Sequence, residues 1–296
     1  MKNELAKIIK LIMDKTHDLS VTPFQKNIFE DYLSDVTKNQ KIFCNENLEI
    51  ATLNFSDSVA LSKENNLKIA QEKIEEGFEK IALIEDKLPR YYGYTFAFTA
   101  LSYWNYRMGN YDLAERKLWK AIKIDSFLCR HGIEIFTMHQ IQQIQNIARI
   151  HFKKGDFVTA CGYMNKALRF LLLNTPVNSY INRSIQTLPK GLKDEMIWQI
   201  TSETIKMIHD HKLQDFQRFY KIAFCHLTSF KSTSYHEDLH LQWFSLKELY
   251  YQEEYAEFLS ALPDFINGID RNYMVYIKNI FNDLKELHYK LLPQTA

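Results

Sequence analysis

Between Thr95 and Asn174 apolar and small side chains recur at intervals of three and four residues, and two segments of one length repeat the pattern. Thr95 to Leu128 and Ile141 to Asn174 align without a gap. In each, a helix-forming run ends at a glycine, Gly109 or Gly155, followed by Asn110 or Asp156 and an aromatic, Tyr111 or Phe157. Ala114 or Ala160 comes next, then Leu118 or Met164, then Ala121 or Ala167. That spacing marks one face of a helix. A glycine suits a helix C-terminus that needs positive φ, and Asn or Asp suits the start of the next helix. Each segment therefore predicts two antiparallel helices joined by a tight turn, with alanines where the backbones approach closely.

The pattern resembles the tetratricopeptide repeat, a unit of 34 residues. Phe98, Leu101, Ser102, Gly109, Tyr111, Ala114, Leu118 and Ala121 carry the resemblance in the first unit, and Ile144, Ile147, Ala148, Gly155, Phe157, Ala160, Met164 and Ala167 in the second. Ser126 and Leu172 stand where the unit usually closes with proline, and Gly109 and Gly155 are further apart than one repeat. Longer helices or a longer connection around Cys129 to Gln140 are expected in consequence. The resemblance implies an all-α, right-handed superhelical solenoid of antiparallel helix pairs. It also implies a concave groove lined by the first helix of each unit, presenting Phe96, Thr99, Ala100, Tyr103, Tyr106 and Arg107, then Gln142, Gln145, Asn146, Arg149, Phe152 and Lys153. Of these, Tyr103, Tyr106, Arg107, Gln142, Gln145, Asn146, Arg149 and Lys153 are the candidate ligand-binding residues. Amides suit a peptide backbone, Arg149 and Lys153 suit a carboxylate, and the tyrosines supply apolar floor. The expected ligand is a peptide or a partner protein, in a peptide-responsive regulator or an assembly adaptor.

The rest of the chain extends the helical pattern as one continuous array. Residues 1–45 read as an N-terminal cap of two helices, one carrying Ile8, Ile9, Ile12 and Met13, the other following Pro23 with Phe24, Ile28, Phe29, Tyr32 and Leu33. Residues 46–174 hold the repeats, with Ala51 to Ile84 as a further copy turning at Asn65 and Asn66. Asp57 falls there at a position normally leucine. Residues 175–269 read as degenerate helical repeats, in which Phe258 takes a small-residue position. Residues 270–296 form a C-terminal helix whose stripe of Tyr273, Ile277, Ile280, Leu284, Leu287 and Leu291 caps the array, or serves as a homodimer seam.

Composition narrows the function classes. The chain has 37 basic and 36 acidic residues, which leaves no electrostatic footprint for nucleic acid or an anionic membrane. Eight glycines and six prolines supply little turn chemistry for many short strands. Cys44, Cys129, Cys161 and Cys225 lie far apart, which suggests neither a disulfide framework nor a thiolate zinc site. The N-terminus has no cleavage-site pattern and no apolar run approaches the roughly 20 residues of a membrane span. A cytoplasmic protein is expected.

One local motif carries chemistry. His236-Glu237-Asp238-Leu239-His240 reads H-E-x-x-H, in which two imidazoles on one helical face hold zinc while Glu237 activates a water. That alternative makes the chain a metal-dependent hydrolase with Glu237 catalytic and His236 and His240 as ligands. Against it, Asp238 places a charge where such enzymes carry an uncharged residue, and no third ligand has a signature. The expectation is therefore no catalytic residue, no metal and no cofactor.

Overall fold

The computed structural model describes residues 2–16, 44–182, 190–211, 216–228, 231–232, 234–269 and 273–291. Among them are twelve helices and no strand, so the described chain is all-α. The helix expected after Pro23 lies outside the described residues. The chain divides into two compact units, one of residues 27–196 and the other of residues 1–26 with 197–296. This division cuts across the segments read from the sequence, because the N-terminal helix joins the C-terminal third.

In the unit of residues 27–196, three helix pairs follow one another: α2 (Glu46–Lys63) with α3 (Leu67–Ala82), α4 (Lys87–Arg107) with α5 (Tyr111–Arg130), and α6 (Phe136–Lys154) with α7 (Phe157–Leu173). Left-handed backbone closes the first helix of each pair, at Asn65 with φ 68°, Gly109 with φ 79° and Gly155 with φ 80°. Only there does the glycine of each repeat matter to the turn, since L side chains resist positive φ. Asp156 then caps α7, its side chain accepting from the Thr159 amide at 3.3 Å.

Small residues let the partners of each pair close. Ala70, Ala114, Ala121, Ala160 and Ala167 are fully buried, and Ser102 donates to the Ala114 carbonyl across the α4–α5 crossing at 2.8 Å. Gly77 on α3 lies under the Phe55 ring, where an added Cβ would sit 2.7 Å from Cζ. Around it Ala51, Phe55, Ile74, Ile81, Ala97 and Ala100 form the core shared by α2, α3 and α4. Asp57 is exposed, and Phe55 and Ser58 face inward instead. The copy in α2 therefore runs in a shifted register.

The first helices of the pairs lie parallel. Leu48 is beside Gly93, Arg107 donates to the Lys63 carbonyl at 3.2 Å, and the Tyr92 and Phe136 rings meet edge to face at 5.6 Å. The partners in each contact are 44 or 45 residues apart in sequence. The spatial repeat is thus longer than the 34-residue sequence unit, and α5 takes up part of the excess by running on to Arg130.

The other unit contains α1 (Lys2–Thr16), the part of α8 (Lys190–Asp210) from Ile197 onward, α9 (Phe216–Phe224), α10 (Tyr235–Tyr251), α11 (Tyr255–Gly268) and α12 (Met274–Leu291). Leu5, Ile8 and Ile12 of α1 are buried, and α1 packs on α11 and α12. Tyr273, Ile277, Ile280, Leu284 and Leu287 are also buried. From Tyr273 to Leu287 the stripe read as a cap or a dimer seam lies in the interior of this unit, and the side chain of Leu291 lies outside the described residues. Phe258, in the small-residue position of α11, is buried against the Tyr250 ring at 5.3 Å. Among the described residues no helix is long and apolar enough to cross a membrane.

Candidate functional site

The α4–α6 face brings part of the expected groove together. Tyr103 and Tyr106, one helical turn apart, stack with ring centroids 6.1 Å apart, and Tyr111 meets Tyr106 at 5.8 Å. Burial pushes the Tyr106 hydroxyl above its ordinary range, Tyr111 and Tyr103 add to this, and the Arg149 and Arg107 guanidiniums oppose it. Two arginines, Arg107 of the same helix and Arg149 of α6, thus act on Tyr106 through their charge. Tyr103, Tyr106, Arg107, Gln142, Asn146 and Arg149 are half-buried and Lys153 is exposed. These side chains combine partial access with positive charge and aromatic surface.

Other expected members are not on that surface. Gln145 is 0 % exposed and Phe152 1 %, as is also the case for Ala100 at 2 %. The reason lies in α6 itself, which is buried on most of its circumference between α5 and α7. A helix packed on several sides has no wide groove face to give. Gln145 therefore belongs to the interior, and the accessible stripe narrows to Gln142, Asn146, Arg149 and Lys153.

Beneath the stripe runs a chain of buried polar groups that the sequence alone did not reveal. Thr95 on α4 donates to Asp125 Oδ1 at 2.5 Å. His139 Nδ1 lies 2.8 Å from Asp125 Oδ2, and Gln143 Nε2 lies 2.8 Å from His139 Nε2. Asn146 donates to Gln143 Oε1 at 3.1 Å, and Arg149 donates to Asn146 Oδ1 at 2.5 Å. Alongside, Gln140 donates to the Ile122 carbonyl at 3.0 Å and to the Tyr180 carbonyl at 3.3 Å. Thr95, Asp125, His139 and Gln143 are all buried. Burial pushes the Asp125 carboxyl up, and His139 and Thr95 partly offset this. One signal was available: Asp125 follows Leu118, Ala121 and Ile122 on the apolar stripe of α5, where a carboxylate needs a buried partner.

The H-E-x-x-H motif occupies the start of α10, capped by Ser234, whose hydroxyl accepts from the Glu237 amide at 3.1 Å. His236 Nδ1 pairs with the Tyr273 hydroxyl and His240 Nδ1 with the Tyr276 hydroxyl, both at 2.6 Å. Glu237 is 3 % exposed and His240 0 %. Further along the same helices, Lys247 pairs with Asp283 in full burial. The two histidines and the lysine are thus rungs between parallel helices α10 and α12. Among the described residues no group of three or more His, Cys, Asp or Glu is arranged to hold a metal ion.

No protein family, curated protein or solved structure matches this chain.

Proposed function

We propose that the unit of residues 27–196 is a tetratricopeptide-like array, right-handed and superhelical, that binds a peptide or a partner protein on its α4–α6 surface. One observation carries the reading: the half-buried Tyr106, in ring contact with Tyr103 and Tyr111, feels the charge of both Arg107 on its own helix and Arg149 on α6. Two arginines near stacked tyrosines suit a carboxylate attached to an extended or aromatic-bearing chain, because guanidinium groups bind carboxylates through charge-assisted hydrogen bonds. The helix pairs, the turns at Asn65, Gly109 and Gly155, and the parallel first helices support the array. Lys153 extends the positive edge and Gln142 offers an amide to a peptide backbone. The role that follows is recognition, in a regulator or an assembly adaptor.

Panning the full chain against a random peptide library tests this. Enriched peptides are expected to carry an acidic side chain or an essential free C-terminus, and to bind the Arg149→Leu and Tyr106→Ala variants at least about tenfold more weakly, the worth of one charge-assisted contact. Peptides that bind both variants as tightly as the parent would rule the surface out.

A further inference from the structure

The outer sides of α3 and α5 carry opposite charge at the same spacing. On α3 the buried residues are Ala70, Ile74, Gly77 and Ile81, and Glu72, Glu75, Glu76 and Glu79 stand exposed on the opposite side of the helix. On α5 the burial of Ala114, Leu118, Ala121 and Asp125 leaves Arg116, Lys120 and Lys123 exposed in the same way. Residues three, four and seven apart share a helical face. Each stripe therefore runs straight over a rise of about 10 Å, one acidic and one basic.

Little of this charge is neutralised within the chain. Glu76 pairs with Lys73 at 2.7 Å and Glu75 accepts from Gln71 at 2.8 Å, both inside α3. Among the described residues Arg116, Lys117, Lys120 and Lys123 form no ion pair. Burial, and then the like charges of Lys120 and Arg116, hold the Lys117 amine below its ordinary range. Lys123 reaches the Tyr180 ring at 5.6 Å.

Between the stripes lies an aromatic floor. Phe98 of α4 meets Phe78 of α3 with ring centroids 6.2 Å apart, and Tyr94 lies 6.4 Å from Phe78 and 6.2 Å from Phe98. From α5 the Lys117 and Lys120 ammonium groups reach over the Phe98 ring at 5.8 and 5.4 Å. All three rings are half-buried. Phe98 and Tyr103 stand about 140° apart around α4, so this face is not the one proposed above for the ligand.

The charge pattern selects the occupant. Single-stranded nucleic acid could stack on the rings, but its phosphates would meet the glutamates of α3. A basic partner would meet the lysines of α5. A matching surface needs both stripes at the same spacing with an apolar strip between them, and a second copy of this chain supplies it. The first helices of the pairs are parallel, so α3 and α5, each antiparallel to its own first helix, run in one direction. A twofold axis between them lays α3 of one copy antiparallel on α5 of the other, and the reciprocal contact forms at the same time. Glu72 then faces Lys123, Glu76 faces Lys120 and Glu79 faces Arg116. We infer that the chain forms a twofold homodimer through α3 and α5, with Phe78, Tyr94 and Phe98 covered at its centre.

Sedimentation equilibrium of the full chain over a wide concentration range tests this. The parent is expected to show a reversible monomer–dimer equilibrium that weakens as salt is raised, because exposed charges are screened. Lys120→Glu/Lys123→Glu and Glu72→Lys/Glu76→Lys each set like charges against each other in both halves of the dimer. Each should weaken dimerisation at least about tenfold, since four pairs change from attraction to repulsion. An equimolar mixture of the two variants should dimerise about as tightly as the parent, because a mixed dimer is complementary in both halves. That recovery requires both variants to be folded, which separates loss of the interface from loss of the fold. A parent that stays monomeric at low salt overturns the proposal. So does a dimer that either variant leaves intact, or one that mixing fails to restore. A monomeric parent that binds oligothymidylate, with binding lost in Lys120→Glu/Lys123→Glu, would assign the face to nucleic acid and overturn it as well.

Discussion

Replacing Lys247 by methionine isolates the cost of a buried charge in the unit that contains α10 and α12. Lys247 is 1 % exposed and Asp283 0 %. The ammonium lies within 4.8 Å of the Tyr220 ring centroid, 5.2 Å of Tyr251, 5.5 Å of Tyr250 and 6.0 Å of Trp243. Gln217 donates to Asp283 at 3.3 Å and to Glu286 at 2.9 Å. Methionine fills much of the lysine volume, so packing changes little, but Asp283 keeps its burial and loses its counter-ion. Removing one member of a buried pair costs about 3–5 kcal/mol, while replacing both with apolar groups is often near neutral. Lys247→Met should therefore lose about 3–5 kcal/mol at pH 8, and the double variant Lys247→Met/Asp283→Leu should recover most of it.

The pH dependence has a definite sign. Burial raises the folded-state pKa of Asp283, and in the parent Lys247 is the largest influence opposing this. In Lys247→Met the folded pKa stands higher still above the unfolded value of about 3.9. A carboxyl with a raised folded pKa stabilises fully below its unfolded pKa, and that stability is lost as pH rises through the folded pKa. The cost of Lys247→Met should accordingly shrink toward pH 4 and reach its full size above the raised midpoint. Guanidinium unfolding followed by tryptophan fluorescence and circular dichroism at several pH values measures it. A cost below about 1 kcal/mol at pH 8, or one that grows on acidification, would refute the reasoning.

Three other outcomes follow from the packing. Gly77→Ala should lose about 1–3 kcal/mol in denaturant unfolding, because the new methyl meets the Phe55 ring, and Phe55→Leu in the same chain should return part of the loss. Tyr276→Phe should cost about 1–3 kcal/mol by leaving buried His240 Nδ1 without the hydroxyl, whereas an unchanged transition would show that the rung contributes nothing. With a thiol reagent Cys44 should react quickly and Cys161 and Cys129 slowly in the folded chain, since the first is exposed and the others buried; all four should react alike in denaturant.

Local features were legible in the sequence because their causes are local. Gly109 and Gly155 ended their helices as read, since positive φ is a demand of one residue, and the alanine spacing located the crossings. Helix 2–16 and the all-α character followed from periodicity. The polar face of α6 was misread in part. Gln145 reads as a groove residue from its register, but the circumference of α6 is covered by neighbours that the register does not describe. The deeper misses, the Asp125–His139 and Lys247–Asp283 pairs, join residues 14 and 36 positions apart. Only one half of each pair left a trace, as a charge on an apolar stripe: Asp125 after Ile122, and Asp283 between Ile280 and Leu284. A charge so placed announces that a partner exists without saying where. The same holds for H-E-x-x-H, whose spacing suits a metal and equally suits two rungs to Tyr273 and Tyr276.

Ligand binding on the face of α4 and α6 has a direct spectroscopic signature. Amide chemical-shift perturbation of the full-length ¹⁵N-labelled chain, titrated with the most enriched library peptide, tests it most directly. Saturable shifts are expected to cluster at Tyr103 to Arg107 and Gln142 to Lys153 and to be lost in Arg149→Leu. Shifts confined to α10 and α12, or to the side where Phe78 of α3 meets Phe98 of α4 with ring centroids 6.2 Å apart, would contradict it.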